Sequence, residues 1–172
     1  MTGEGGILQR LDATARAATP SLVALALIVL GVVPLRLPEF AAITPSFTLM
    51  AVYYWTMYRA ELMPAAAVFG IGLFQDLLSG GPLGVNAFVL LLVHGAVMTQ
   101  RRVLMRRPFA LGWIGFAFIA LAGFALNWLT IALLNLTVFD PLIASVQCAM
   151  TVMLYPPFAW MFVAVQRVWV HD

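Results

Sequence analysis

Asp76 makes the greatest chemical demand on its surroundings. It follows Gln75 near the end of an apolar run, Ser79-Gly80-Gly81-Pro82 breaks that run, and Asn86 stands one turn into the next. An unpaired charge in a membrane-length apolar segment costs several kcal/mol, so such a residue marks a functional site by default. The carboxylate has two possible tasks. It can cap exposed backbone N–H groups of the turn from Ser79 to Gly84, or it can accept a hydrogen bond from a partner protein. The second task predicts that Asp76→Ala stays in the membrane at near-normal abundance but loses its partner. Gly84→Leu would then act in the same way, by blocking close approach.

Other residues invite catalytic readings. Ser79, His94 and Asp76 contain the side chains of a hydrolytic triad, but His94 falls some three turns deeper than Ser79, and triad chemistry requires hydrogen-bond contact. His94 has only His171, at the far C-terminus, as a second histidine. A hydrogen bond to a neighbouring helix is therefore expected for it, rather than proton shuttling or metal binding. The sequence contains no phosphate loop, HExxH pair or paired cysteines, so no enzyme of a familiar class, and no cofactor, is expected.

The elements that must position these residues follow from composition. Of the 172 residues, 63% are hydrophobic and 9% charged, with a mean hydropathy of +1.00, far from an ordinary soluble domain. The single cysteine, Cys148, excludes a disulfide framework. One all-α domain over residues 20–170 is expected, an integral membrane protein crossing several times, with a polar tail over 1–19. In that tail Ile7, Leu8, Leu11 and Ala15 recur at helical spacing beside Arg10, Asp12 and Arg16, which suits either a surface helix or a solvated tail.

Six spans are predicted, each needing roughly 20 residues: Pro20 to Leu35, Phe40 to Tyr58, Leu62 to Leu78, Pro82 to Gln100, Pro108 to Leu134, and Pro141 to Val165. The last is expected to kink at Pro156-Pro157. Tyr53, Tyr54, Trp55 and Tyr58 are expected to form an aromatic belt at headgroup level where the second span leaves the membrane. Six spans put both termini on one side. That side carries eight of the nine arginines, with Arg36 alone opposite, so the termini are expected to be cytoplasmic. Arg101, Arg102, Arg106 and Arg107 form a basic cytoplasmic loop. It serves as topology determinant or meets anionic lipid headgroups or a cytoplasmic partner.

This topology places Gln75, Asp76, Asn86, Asn127 and Gln147 in one layer near the outer ends of spans three to six. The amides either join helices by hydrogen bonds or line a cavity or partner groove open to the outside. Ala66 with Gly70, and Ser145 with Ala149, are small residues four apart and are read as close helix packing. Trp113, Trp128, Trp160 and Trp169 are read as packing or interface anchors.

The run from Gly70 to Ala87, GIGLFQDLLSGGPLGVNA, resembles the signature hairpin of the bacterial rod-shape-determining MreD family: a glycine-spaced helix end, an aspartate, a short Gly/Pro turn, then Leu-Gly and a small or polar residue. Length, span count and the arginine-rich loop are also similar. The resemblance carries over Asp76, Gly80, Pro82 and Gly84, whereas Asn127 and Gln147 have no counterpart in the motif. It implies a non-catalytic inner-membrane component of the cell-elongation machinery. Implied partners are a single-span MreC-like protein and, through it, a SEDS-family glycan polymerase, a penicillin-binding transpeptidase and the actin-like MreB filament. Membrane lipid is a further partner, and nucleic acid is not one. The family also resembles in fold the substrate-binding S subunits of energy-coupling-factor transporters, which implies an S-subunit-like bundle.

Two function classes result, a scaffold that binds other membrane helices and a small-molecule-binding transporter subunit. S subunits often carry alanines four apart on span one. Here the nearest such pair, Ala13 and Ala17, lies in the polar tail, and the outer loops offer few groups to recognise a solute. Both points favour the scaffold.

Overall fold

The structure, a computed structural model, describes residues 24–27, 29, 44–106, 108–136 and 140–169, with side chains as far as 164. The expected tail over 1–19, most of the first span, the loop from Arg36 to 43, Arg107 and the side chain of Trp169 lie outside the described residues. Those described contain helices and no strand: α1 (Phe47–Tyr58), a 3-10 turn (Ala60–Leu62), α2 (Ala65–Ser79), α3 (Val85–Leu104), α4 (Phe109–Asn135) and α5 (Pro141–Trp169).

Proline and glycine set the boundaries. Pro64 and Pro108 stand immediately before α2 and α4, and Pro141 opens α5, where the missing N–H has no intrahelical partner to lose. Gly80 closes α2 with φ +68°, and Leu136 closes α4 at φ 51°, both in the left-handed region common just past a helix end. Asp140 Oδ1 accepts the Leu142 N–H at 2.9 Å and so caps the start of α5.

These boundaries shorten two of the expected spans. Among the described residues, only α3, α4 and the Pro141–Ala164 part of α5 are long and apolar enough to cross a membrane. The 12 residues of α1 and the 15 of α2 rise about 18 and 22 Å, against a hydrocarbon core of roughly 30 Å. Hydropathy counts the flanks of Pro45 and Pro64 as span, whereas the chain is not α-helical there. Conversely, α3 starts at Val85 rather than Pro82 and runs on to Leu104, so Arg101 and Arg102 belong to its last turn and the basic loop is shorter than expected.

Successive helices alternate in direction and share two ends, a hairpin end and an arginine end. The centre is α1, buried without interruption from Thr48 to Met57. The expected aromatic belt is therefore not on the surface. Tyr53 and Trp55 are fully buried and Tyr54 nearly so. Tyr53 meets Phe116 and Tyr155 with centroids 5.0 and 5.6 Å away, Phe116 stacks on Tyr155 at 4.1 Å, and Tyr54 packs on Phe162 at 5.1 Å. The Tyr53 hydroxyl donates to the Gly112 carbonyl at 2.8 Å. An all-apolar helix fits a bundle centre as well as it fits lipid, which is why the rings are legible in the sequence and their setting is not.

The helix joints also differ in part from expectation. His94 and Thr56 share a buried hydrogen bond of 3.0 Å between α3 and α1, the joint expected for a lone histidine. Ala66, Gly70, Ser145 and Ala149 are instead exposed, and a Cβ on Gly70 would meet nothing within 4 Å. Close approach occurs at Gly72, where an added Cβ would lie 2.3 Å from the Ala87 Cα. Helix α5 continues through Pro156 and Pro157. Pro156 deprives the Val152 carbonyl of its i+4 donor, and the Trp113 indole N–H of α4 supplies one at 2.9 Å.

Candidate functional site

The hairpin end is organised by Asp76, which is 1% exposed. Its Oδ2 accepts the Gly84 N–H at 2.8 Å, and its Oδ1 accepts the Asn86 backbone N–H at 3.1 Å and the Asn86 side-chain amide at 2.9 Å. The Ala87 N–H approaches Oδ2 at 3.5 Å. A carboxylate from the last turn of α2 thus closes the first turn of α3, replacing the partners that a helix start lacks and lying at the positive end of its dipole. Of the two tasks open to Asp76, the geometry shows the cap. Both oxygens are engaged inside the chain, which removes the expectation that Asp76→Ala would leave folding untouched.

The turn itself explains the glycines. Gly84 holds φ +95° and Gly80 φ +68°, and a Cβ added at either would meet no atom within 4 Å. Backbone conformation, not close approach, therefore demands glycine at 84. Pro82 is exposed, and its carbonyl accepts the Val85 N–H at 3.4 Å. Ser79 Oγ donates to the Gln75 carbonyl at 2.8 Å while His94 is paired with Thr56, so Ser79, His94 and Asp76 form no triad.

The Asp76 contacts extend into a chain of amides. Asn86 gives its N–H to the carboxylate and accepts the Asn127 Nδ2–H at 2.9 Å on its Oδ1. Farther round, Gln147 Nε2 donates to the Thr44 carbonyl at 2.7 Å, and the Ser46 N–H donates to Thr151 Oγ1 at 3.0 Å. These two bonds tie the entry of α1 to α5. The four amides expected in one layer do meet. Gln75, Asn86, Asn127 and Gln147, with Ser46 and Asp140, line one cavity of about 340 Å³ at the hairpin end. Its apolar wall comes from Phe124, Trp128, Ile131, Ile143 and Ala144. Helix joints and a cavity, posed as alternatives by the sequence, are both present.

Asp140 and Ser46 are cavity residues that sequence reasoning passes over. Asp140 is legible only as a helix start, by its place before Pro141. Ser46 contributes through a backbone bond that no residue type announces. At the opposite end Arg102 and Arg106 are exposed and Arg101 half-buried, and Arg59 pairs with Glu61 at 3.5 Å. The described arginines therefore lie away from the cavity.

Among the described residues, a helical bundle with three apolar helices long enough to cross a membrane and a carboxylate-capped hairpin fits a small membrane protein. Over residues 15–165 the sequence matches the family model of the rod shape-determining protein MreD. The chain belongs to that family, membrane proteins of bacterial cell shape. No curated protein and no solved structure matches it.

Proposed function

We propose that the chain is a non-catalytic inner-membrane scaffold of the cell-elongation complex, binding an MreC-like partner at its hairpin end. The partner in turn links it to a SEDS glycan polymerase and a penicillin-binding transpeptidase, and so to lateral peptidoglycan synthesis. The family match over 15–165 carries this reading. In it residues 20–170 form one S-subunit-like domain of six spans, with both termini and the arginine end in the cytoplasm, as the arginine distribution favours. A cysteine introduced at Gly3 should then resist labelling from outside intact cells.

Asp76, Gly80, Pro82, Gly84 and Asn86 build the docking element, and apolar side chains beside them form the contact. Leu77 and Leu83 are 67% and 68% exposed on either side of the turn. Neither is needed to close the cap. Leu77→Gln with Leu83→Gln should leave abundance unchanged, reduce co-purification of the MreC-like protein severalfold and round the cells. Normal partner recovery and normal rods from the double variant would refute docking at this end.

The cavity favours a second reading, a solute-binding subunit of an energy-coupling-factor-type transporter, because about 340 Å³ falls within the range of small-molecule sites. Its amides, Gln75, Asn86, Asn127 and Gln147, come from helices, which answers the shortage noted in the loops. Co-purification of a transporter coupling subunit in place of an MreC-like protein would decide for it.

A further inference from the structure

The described lining of the cavity carries one charged group, the Asp140 carboxylate, and that charge together with the aromatic wall selects a ligand. A carboxylate only accepts hydrogen bonds when ionised. Asp76 must therefore receive N–H from Asn86, which turns the Asn86 oxygen toward Asn127 and takes up an Asn127 N–H. The chain thus ends on Asn127 Oδ1, which has no partner among the described residues. Gln147 is turned in the same sense, because one of its two N–H groups is taken by the Thr44 carbonyl and Oε1 is left over. Asp140 spends Oδ1 on the α5 cap and keeps Oδ2. Three unused acceptors thus belong to residues lining one cavity whose described lining holds no cation, with Phe124 and Trp128 as its aromatic wall.

We propose that this cavity binds a small ammonium compound with an apolar body, its N–H donors held by Asn127, Gln147 and Asp140 and its body against Phe124 and Trp128. An anion would meet the Asp140 carboxylate and no cation in the described lining, with only neutral donors such as the Gln75 amide to offset its desolvation. A wholly apolar ligand would strand the same acceptors. Cation–π attraction to the ring faces favours the positive charge again. This deepens the cavity reading above without resting on transport, and the scaffold role can fail or stand independently of it.

The test is a matched series, benzylammonium, benzyl alcohol and benzoate, titrated by calorimetry into the full chain in phosphatidylcholine nanodiscs, with empty discs as blank. Benzylammonium should bind about tenfold more tightly than benzyl alcohol, the scale of one charge-assisted hydrogen bond at a partly open site, and benzoate should not bind. Asp140→Asn, which keeps a capping side chain, should bring benzylammonium to the level of the alcohol. Ala144→Phe should fill the cavity and abolish binding of all three, leaving the Asp76 network untouched. Equal binding of the three compounds, absence of benzylammonium binding, or undiminished binding by folded Ala144→Phe protein would overturn the proposal.

Discussion

At the hairpin end α3 begins on a buried carboxylate that receives three N–H groups within 3.1 Å. At the arginine end α1, α4 and α5 meet instead through the rings of Tyr53, Phe116 and Tyr155. Both ends are tightly joined, but by forces that fail differently. Ring packing is non-directional, so a smaller side chain loses contacts in proportion to what is removed. The carboxylate cap is directional and shared, so deleting one member strands the others at the full cost of unmade bonds. The end that carries the hairpin is thus the one that tolerates least change.

The largest expected effect breaks the polar end. Asp76→Ala leaves the Gly84 and Asn86 N–H groups and the Asn86 amide without an acceptor, and frees Asn86 to release Asn127. A loss of about 3–5 kcal/mol is expected, read as early thermal unfolding in nanodiscs and low abundance in cells. Asp76→Asn keeps one acceptor oxygen and should cost about half as much. Wild-type stability of the alanine variant would mean that the cap is incidental. Next comes Gly72→Ala. Its Cβ would lie 2.3 Å from the Ala87 Cα, so α2 and α3 must part, at a cost of about 2–3 kcal/mol. Gly70→Ala, with nothing within 4 Å, should be neutral, and equal effects at the two glycines would refute the packing assigned to the hairpin.

The aromatic end should respond by degrees. Phe116 is fully buried between Tyr53 and Tyr155. Phe116→Leu preserves most of the apolar volume and should cost about 1.5 kcal/mol, with Phe116→Ala costing about 3 kcal/mol. An all-or-none loss in the leucine variant would erase the contrast between the ends.

That contrast is only half legible in the sequence. The hairpin can be read because glycine and proline have local backbone meanings, and the polar layer because amides in apolar runs carry a depth once the spans are set. Asp76 stands out, yet its cap depends on Gly84 and Asn86 folding back across the turn, which a residue type does not declare. Tyr53, Tyr54 and Trp55 fall at the right end and, by hydropathy alone, in the wrong medium. Lipid and protein core accept the same side chains, and only the packing shows that α1 is central. Spans two and three come out too long because hydropathy does not register that a proline has delayed the helix.

The smallest effect lies beside the aromatic cluster, where Trp113 of α4 donates to the Val152 carbonyl of α5 at 2.9 Å. That carbonyl would ordinarily accept the N–H of residue 156, which is proline and has none. The indole is therefore a substitute donor from another helix. Trp113→Phe keeps most of the ring and removes the donor, and should cost about 0.6–1.5 kcal/mol, the range for one interhelical hydrogen bond in a membrane. The Pro156→Ala background restores the intrahelical N–H and relieves Val152 of its dependence on Trp113. There the same tryptophan substitution should cost less by about 0.5–1 kcal/mol, a coupling that a double-mutant cycle measures directly. Equal costs in both backgrounds would show that Trp113 acts only through its ring, and that the proline step in α5 needs no donor from α4.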